Sequence, residues 1–453
     1  MVGDTPKAAD GAGSALWMST FAFTACFAVW TIFSIIGVQI KQDLGLSEAQ
    51  FGLLAGTPIL TGSLVRVLLG VWTDQYGGRL VNLMVMLSAA LATFLLSYAH
   101  TYPQFLVAAL GVGMAGGSFA VGIAYVSKFF PKEKQGTALG IFGAGNVGAA
   151  VTKFTAPFVM IAFGWQSVAQ IWAGALALIA VAFFLFTRDD PALVERRRTG
   201  AKPESTAMQF TPLMKLQVWR FSLYYFFVFG AFVALALWLP HYLVGVYGLN
   251  IKVAGMVAAA YSIPGSLFRV FGGWLSDRIG ARRVMYITFS VSAVCTFLLS
   301  YPPTSYVVAG IHGPISFHLA TGLPAFMVLL FCLGFAMSLG KAAVFKHIPV
   351  YYPANIGSVG GLVGLVGGLG GFILPITFGL LNDLTGVWTS CFMLLFVLVA
   401  SALTWMHFAI RRMERARTPE LAHLPELPEM SGLHPNPSSG PAPVAPAPVA
   451  AAG

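Results

Sequence analysis

Apolar runs of about twenty residues, separated by short polar breaks, recur along nearly the whole chain. A helix needs about 20 mostly apolar residues to cross the hydrocarbon core of a bilayer. The runs at 15–39, 50–72, 80–99, 103–126, 137–160, 166–186, 219–240, 252–275, 284–301, 322–345, 356–381 and 387–409 meet that length. They predict an all-α integral membrane protein with twelve transmembrane helices. Two stretches break the rhythm. Residues 188–218, beginning "RDDPALVERRRTGAKPESTAMQF", are polar and proline-punctuated, and read as a cytoplasmic linker between six-helix bundles at 15–187 and 219–410. Residues 411–453 end in "HPNPSSGPAPVAPAPVAAAG", too poor in apolar pattern to offset the cost of ordering, and read as a disordered cytoplasmic tail. Residues 1–14 form a short cytoplasmic N-terminal tail.

Composition agrees with this pattern. Of 453 residues, 57% are hydrophobic and 9% charged, against roughly 25% charged in soluble domains. The net charge of +10 changes the picture only through its placement. Arg79, Lys128, Lys132, Lys134, Arg188, Arg196 to Arg198, Arg278, Arg282, Arg283, Arg411, Arg412, Arg415 and Arg417 all fall on one side of a twelve-span chain, and little beyond Lys41 and Lys252 falls on the other. By the positive-inside rule both termini are cytoplasmic, and the basic side faces anionic inner-leaflet lipids, not nucleic acid. The expected location is a bacterial-type cytoplasmic membrane. The N-terminus "MVGDTPKAADGAGSALW" lacks the pattern of a removed signal peptide. Cys26, Cys295, Cys332 and Cys391 lie in apolar segments and form no metal-like cluster, so no metal or cofactor is expected.

The two halves repeat. A shift of 203 residues superposes Gly62, Ser63, Leu64, Arg66, Val67, Gly70, Asp74, Gly77 and Arg79 on Gly265, Ser266, Leu267, Arg269, Val270, Gly273, Asp277, Gly280 and Arg282. Two similar bundles that face each other can rock about a site between them, the physical basis of alternating access. The loops "DQYGGR" at 74–79 and "DRIGAR" at 277–282 resemble the signature of the major facilitator superfamily. That resemblance implies a gating role for Asp74, Arg79, Asp277 and Arg282; tying adjacent helices together is an equally consistent role.

The most informative positions are the repeated arginines. Arg66 and Arg269 stand at matching depth well inside a span, where an arginine costs about 2.5–3.5 kcal/mol to insert and faces protein or water. The 16 acidic residues lie in loops, tails or span edges, with Asp43, Glu48, Asp74, Glu133, Asp277 and Asp383 nearest. An electropositive cavity follows, and a planar anion suits the fixed donors of two guanidinium groups. The alternative is that both arginines satisfy carbonyls near the glycines or snorkel outward. Small residues at helical spacing, at Gly143, Gly145 and Gly148 around Asn146 and at Gly361, Gly364, Gly367, Gly368 and Gly370, serve close packing or helix sliding.

These tracts, "GAGNVG" and "GSVGGLVGLVGGLGG", resemble the paired signatures of the nitrate/nitrite porter family within the major facilitator superfamily, and "GSLVRV" with "GSLFRV" matches where that family keeps its substrate arginines. The resemblance implies a secondary transporter, not an enzyme, for nitrate and with it nitrite. It implies that Arg66 and Arg269 bind the anion, and that Tyr225 and Phe229, together with Asn146, shape its site. Independently, Tyr225 and Phe229 share a helix face by their i, i+4 spacing. Lys341 and Lys346 on the tenth span, toward the cytoplasmic half, and Lys153 on the fifth are candidates for coupling or for an entrance. The lysine-bearing tenth span resembles the proton-linked branch, so proton-coupled uptake, with protons as partners, is preferred over nitrate/nitrite exchange. Transport of another small anion, or a membrane sensor or scaffold, are the alternatives. No obligate protein partner is expected.

Overall fold

A computed structural model describes residues 9–130, 132–200, 215–351 and 356–417. Among the described residues eleven helices are long and apolar enough to cross a membrane: Ala12–Trp30, Gly78–Leu96, Tyr102–Ser127, Ala138–Phe163, Trp165–Phe186, Leu216–Tyr247, Ile251–Ile279, Ala281–Leu299, Leu323–Ile348, Val359–Thr385 and Ser390–Arg412. The 29-residue helix Glu48–Tyr76 takes the second place in order. We number these twelve as the first to twelfth spans. Their count puts the start of the first span and the end of the twelfth at the same end of the molecule, the terminal end.

Several spans are interrupted. The first stops at Trp30, passes through a 3₁₀ turn at Ile32–Ser34 and resumes as Ile36–Leu44. The seventh carries a π-helical turn at Phe226–Ala231, a defect that often marks functional sites. The eighth breaks at Phe268, four residues after Pro264, and Arg269 opens its second segment. A proline inside a helix removes one backbone donor and crowds the preceding turn. Ser47 begins the second span with a capping box, its hydroxyl accepting from the Gln50 N–H while the Gln50 side chain accepts from Ser47 N–H.

Three features differ from the sequence reading. The linker is not wholly irregular: Pro191–Thr199 is helical, capped by Asp190, with Leu193 buried and Arg196 donating to the Gln75 carbonyl, while the seventh span already begins at Leu216. Pro191 and the acidic cap give it a helix start; residues 201–214 lie outside the described residues. The twelfth span continues as helix to Arg417, so the boundary at 410/411 moves outward; the expected disordered tail beyond it, like residues 1–8, lies outside the described residues. Between the ninth and tenth spans the chain forms an unanticipated antiparallel hairpin, β1 Thr304–Gly310 and β2 Gly313–Leu319, because its alternating "TSYVVAG" and "GPISFHL" flank a tight turn at Gly313 with φ 129°.

At the end remote from the termini the two halves are bound tightly together. The second and eleventh spans pack backbone to backbone: a Cβ on Gly379 would meet the Glu48 carbonyl at 2.2 Å, and one on Gly52 the Pro375 carbonyl at 2.2 Å. Gly255 of the eighth span lies nearly as close to the Lys153 carbonyl of the fifth. Glycine therefore permits these crossings, which any side chain would force apart. Ions add to the seam. Glu48 contacts His241 of the other half at 2.6 Å and Lys41 of its own at 3.0 Å, and Asp383 accepts from the N–H groups of Glu48 and Ala49. A carboxylate at the first exposed N–H groups of a helix suits the helix dipole.

Candidate anion site between the bundles

The repeated sequence builds the same local arrangement twice. Gly62 leaves room for the indole of Trp30, and its counterpart Gly265 leaves room for the ring of Phe232; a Cβ on either glycine would meet that ring at 2.7 and 2.1 Å respectively. Trp30 fixes its indole by donating to the Pro58 carbonyl at 2.8 Å. One turn after each glycine comes the arginine. Arg66 and Arg269 lie ten residues before the ends of their helices, Tyr76 and Ile279, or about 15 Å in from the terminal end at the usual rise. Both are buried, at 6% and 8% exposure.

Phe119 of the fourth span ties the pair together. Its ring centroid is 5.4 Å from the Arg66 guanidinium carbon and 5.8 Å from that of Arg269. The two carbons are thus at most about 11 Å apart, the two distances laid end to end, and both cations draw on the π face of one ring. Trp30 and Phe229 also flank Arg66, at 5.6 and 5.8 Å, and Phe345 flanks Arg269 at 5.9 Å. Among the described residues no carboxylate pairs with either arginine.

Donors are left over in this aromatic box. Arg66 Nη1 donates to the Gly364 carbonyl at 3.0 Å, so the carbonyl-binding alternative accounts for one of its nitrogens. Its Nε and Nη2, Arg269 Nη1 and the Ser63 hydroxyl are buried without a hydrogen-bond partner, as are both amide atoms of Asn146 on the fifth span, and the Tyr225 hydroxyl stands against Arg269. Buried polar atoms almost always have partners; a cluster of mainly donors in one place is the chemistry of an anion site. Tyr225 and Phe229 stack at 5.0 Å and 8°, with Phe345 edge-on to Tyr225 at 5.0 Å. They come together because the π turn at Phe226–Ala231 follows Tyr225 directly.

The glycine tracts frame this box. A Cβ on Gly143 would stand 3.3 Å from the Arg269 guanidinium and one on Gly364 4.0 Å from Arg66 Nη1, each glycine belonging to the opposite half from its arginine. Gly367 has the Tyr225 ring where a Cβ would stand, at 2.2 Å, and Gly368 has the Ser63 hydroxyl at 2.3 Å. Gly370 packs on Gly230 beside the π turn, and Gly145 and Gly148 seat the fifth span on the first. Gly361 faces open space, with no atom within 4 Å. Asn146 sits in a 3₁₀ turn, Ala144–Val147, one turn beyond Gly143.

The remaining candidates lie elsewhere. Lys153 is buried and donates across the halves to the Ser262 hydroxyl at 2.6 Å. Lys341 is also buried; it donates to the Gly265 carbonyl at 2.6 Å and covers the Phe232 ring at 3.2 Å. Gly265 lies one turn from Arg269 on the side away from the terminal end, so Lys341 sits deep in the protein and does not line an entrance on the terminal side. Lys346 is exposed and pairs with Asp277. Arg79 donates through Nε and Nη2 to the Phe184 carbonyl, at 3.1 and 2.6 Å, clamping the third span to the sixth. Arg282 is buried at the start of the ninth span. The side chain of Asp74 lies outside the described residues. Trp30, Phe119 and Phe345 were not singled out from sequence, and Ser63 only as a position of the repeat. Among 37 phenylalanines nothing local marks Phe119 except its glycine-rich neighbourhood, "AGGSFAVG".

The Major Facilitator Superfamily model matches residues 18–315 and 252–450. A Thermus thermophilus protein named "Probable nitrate/nitrite antiporter NarK1" is 42% identical over 93% of this chain and 96% of its own length. A Bacillus subtilis protein named "Nitrite extrusion protein" is 32% identical over 87% and 95%. Crystal structures of a bacterial homologue of the human lysosomal transporter Spinster share the fold, with TM-scores of 0.67 and 0.68 over 90% of this chain and 98% of theirs, at 16% identity. The chain is a multi-pass membrane transporter and belongs to the nitrate/nitrite porter family of the major facilitator superfamily.

Proposed function

We propose that this protein carries nitrate and nitrite across a bacterial cytoplasmic membrane, with both termini in the cytoplasm, by alternating access between its two six-helix bundles. The relatives' names support the substrate class. The single observation that carries the mechanism is the pair Arg66 and Arg269, one from each half, buried in one aromatic box with unused donors and no described carboxylate. A planar oxyanion between them accepts hydrogen bonds from both forks, and Tyr225, Phe229 and Phe119 cover its faces.

Net uptake is coupled to protons in this reading, with Lys153 and Lys341 as the coupling groups. Lys153 holds the two halves together through Ser262, and Lys341 is held by the eighth span, which also carries Arg269. Exchange of nitrate for nitrite is the second reading, favoured by the name of the Thermus relative. Proteoliposomes separate the two. Nitrate entry that acidifies the lumen without internal nitrite supports symport; entry that needs internal nitrite and moves no protons supports exchange; no movement of either anion under any gradient overturns the proposal.

A further inference from the structure

The geometry points to a lipid surface as the partner of the hairpin Thr304–Leu319. Pairing of Tyr306 with Phe317, Val308 with Ile315 and Thr304 with Leu319 puts these side chains on one face, and pairing of Ser305 with His318, Val307 with Ser316 and Ala309 with Pro314 fills the other. Successive residues of a strand point to opposite faces, so one face is almost wholly apolar and the other mostly polar or small. The apolar face is uncovered by protein: Phe317 is 48% exposed, Ile315 58%, and Ile311 at the tip 98%. A lone two-stranded hairpin in water is marginal at best, and such a face calls for a cover.

The chain itself says which cover fits. Residues 300–322 contain no Asp, Glu, Lys or Arg, so a charged partner has nothing to recognise. The hairpin hangs between the ends of two membrane spans, Leu299 and Leu323, and the Tyr247 hydroxyl holds its base by donating to the Thr321 carbonyl at 2.9 Å. The two spans it joins carry exposed apolar residues of their own near this end, Val294, Phe297 and Leu298 on one and Val328 and Phe331 on the other. Aromatic residues with histidine and serine behind them suit the boundary between headgroups and acyl chains. The hairpin lies on the membrane at the end remote from the termini, apolar face down.

Spin labels on Ile315→Cys and Ser316→Cys, neighbours on opposite faces, test this in the full chain reconstituted into phosphatidylethanolamine and phosphatidylglycerol vesicles. The unsubstituted chain, whose half-buried Cys332 is its most accessible thiol, supplies the background. The Ile315 label is expected to collide several-fold more with oxygen than with a water-soluble nickel chelate, and the Ser316 label to show the reverse. Adding Phe317→Asp is expected to move the Ile315 label into water. Equal nickel access at both positions overturns the proposal, as does an Ile315 label shielded from both reagents and broadened by a second label, the signature of a partner copy.

Discussion

Replacing Arg66 tests the clamp most directly, since the structure separates what its charge does from what its shape does. An anion about 4 Å from the guanidinium gains about 4 kcal/mol at an effective dielectric constant near 20. Arg66→Gln removes that attraction, so nitrate affinity is expected to fall on the order of a thousandfold, at about tenfold per 1.4 kcal/mol. Arg66→Lys keeps the charge but loses the planar fork, which here serves two masters: Nη1 is committed to Gly364 while Nε and Nη2 are unused. One ammonium cannot hold both geometries. The loss of one charge-assisted hydrogen bond, about 1.5–3 kcal/mol, predicts a drop of roughly 10- to 100-fold. The measurement is nitrate binding to purified protein, by calorimetry or scintillation proximity, with monodispersity and melting temperature confirming an intact fold. The order wild type, Lys, Gln is the diagnostic. A Gln variant that binds nitrate within threefold of wild type refutes the clamp outright; equal losses in Lys and Gln refute the division between charge and fork.

Three further outcomes follow from the same geometry. Gly367→Ala places a methyl where the Tyr225 ring stands, at 2.2 Å, and is expected to raise the KM for nitrate by roughly 5- to 100-fold, given the 1–3 kcal/mol typical of overpacking, with membrane levels unchanged; unaltered uptake kinetics would show that Tyr225 does not shape the site. Glu48→Gln weakens the contact with His241 across the halves by about 1–2 kcal/mol, and should speed alkylation of Ser262→Cys from the side remote from the termini by roughly 5- to 30-fold; no change would place the seam's strength in the glycine contacts alone. Lys153→Gln retains a donor to Ser262 without an ammonium, so nitrate binding should persist while proton movement with nitrate is lost; retained proton movement rules out Lys153 as a coupling group.

Twelve spans, the two halves and the depth of both arginines were legible because each rests on a strong local signal: length of apolar runs, a 203-residue repeat, and charge inside a greasy helix. The aromatic box was only half legible. Tyr225 and Phe229 share a face of one helix, but Phe119, Trp30 and Phe345 reach the arginines from the fourth, first and tenth spans, and no single-chain pattern announces which of many aromatic residues converge. The surroundings of Lys341 were hidden for a related reason. Counting along its helix gives a depth but not a direction, and the Phe232 ring and Gly265 carbonyl that receive it come from other helices. The hairpin was hidden because Pro302, Pro303 and the glycines read as loop, while its strands are too short to stand out beside spans of twenty residues.

The crossed pattern of contacts around the clamp bears on how the empty carrier returns. Arg66, of the first half, leans on Gly364 of the second, and Arg269, of the second, on Gly143 of the first. Closing the halves therefore brings the two cations together. At about 10 Å and an effective dielectric constant near 20 they repel by roughly 1.5–2 kcal/mol, and an anion between them replaces that repulsion with attraction on both sides. Phe119 is the only described ring in cation–π contact with both guanidinium groups, each such contact being worth about 0.5–2 kcal/mol, so it offsets part of the repulsion when no anion is present. Phe119→Leu keeps the apolar volume and removes the π face. Net nitrate uptake, which needs the empty return, should then slow by roughly 5- to 30-fold, whereas exchange of labelled for unlabelled nitrate, which returns loaded, should change far less. If both rates fall together, Phe119 acts on the bound anion and not on the unoccupied clamp.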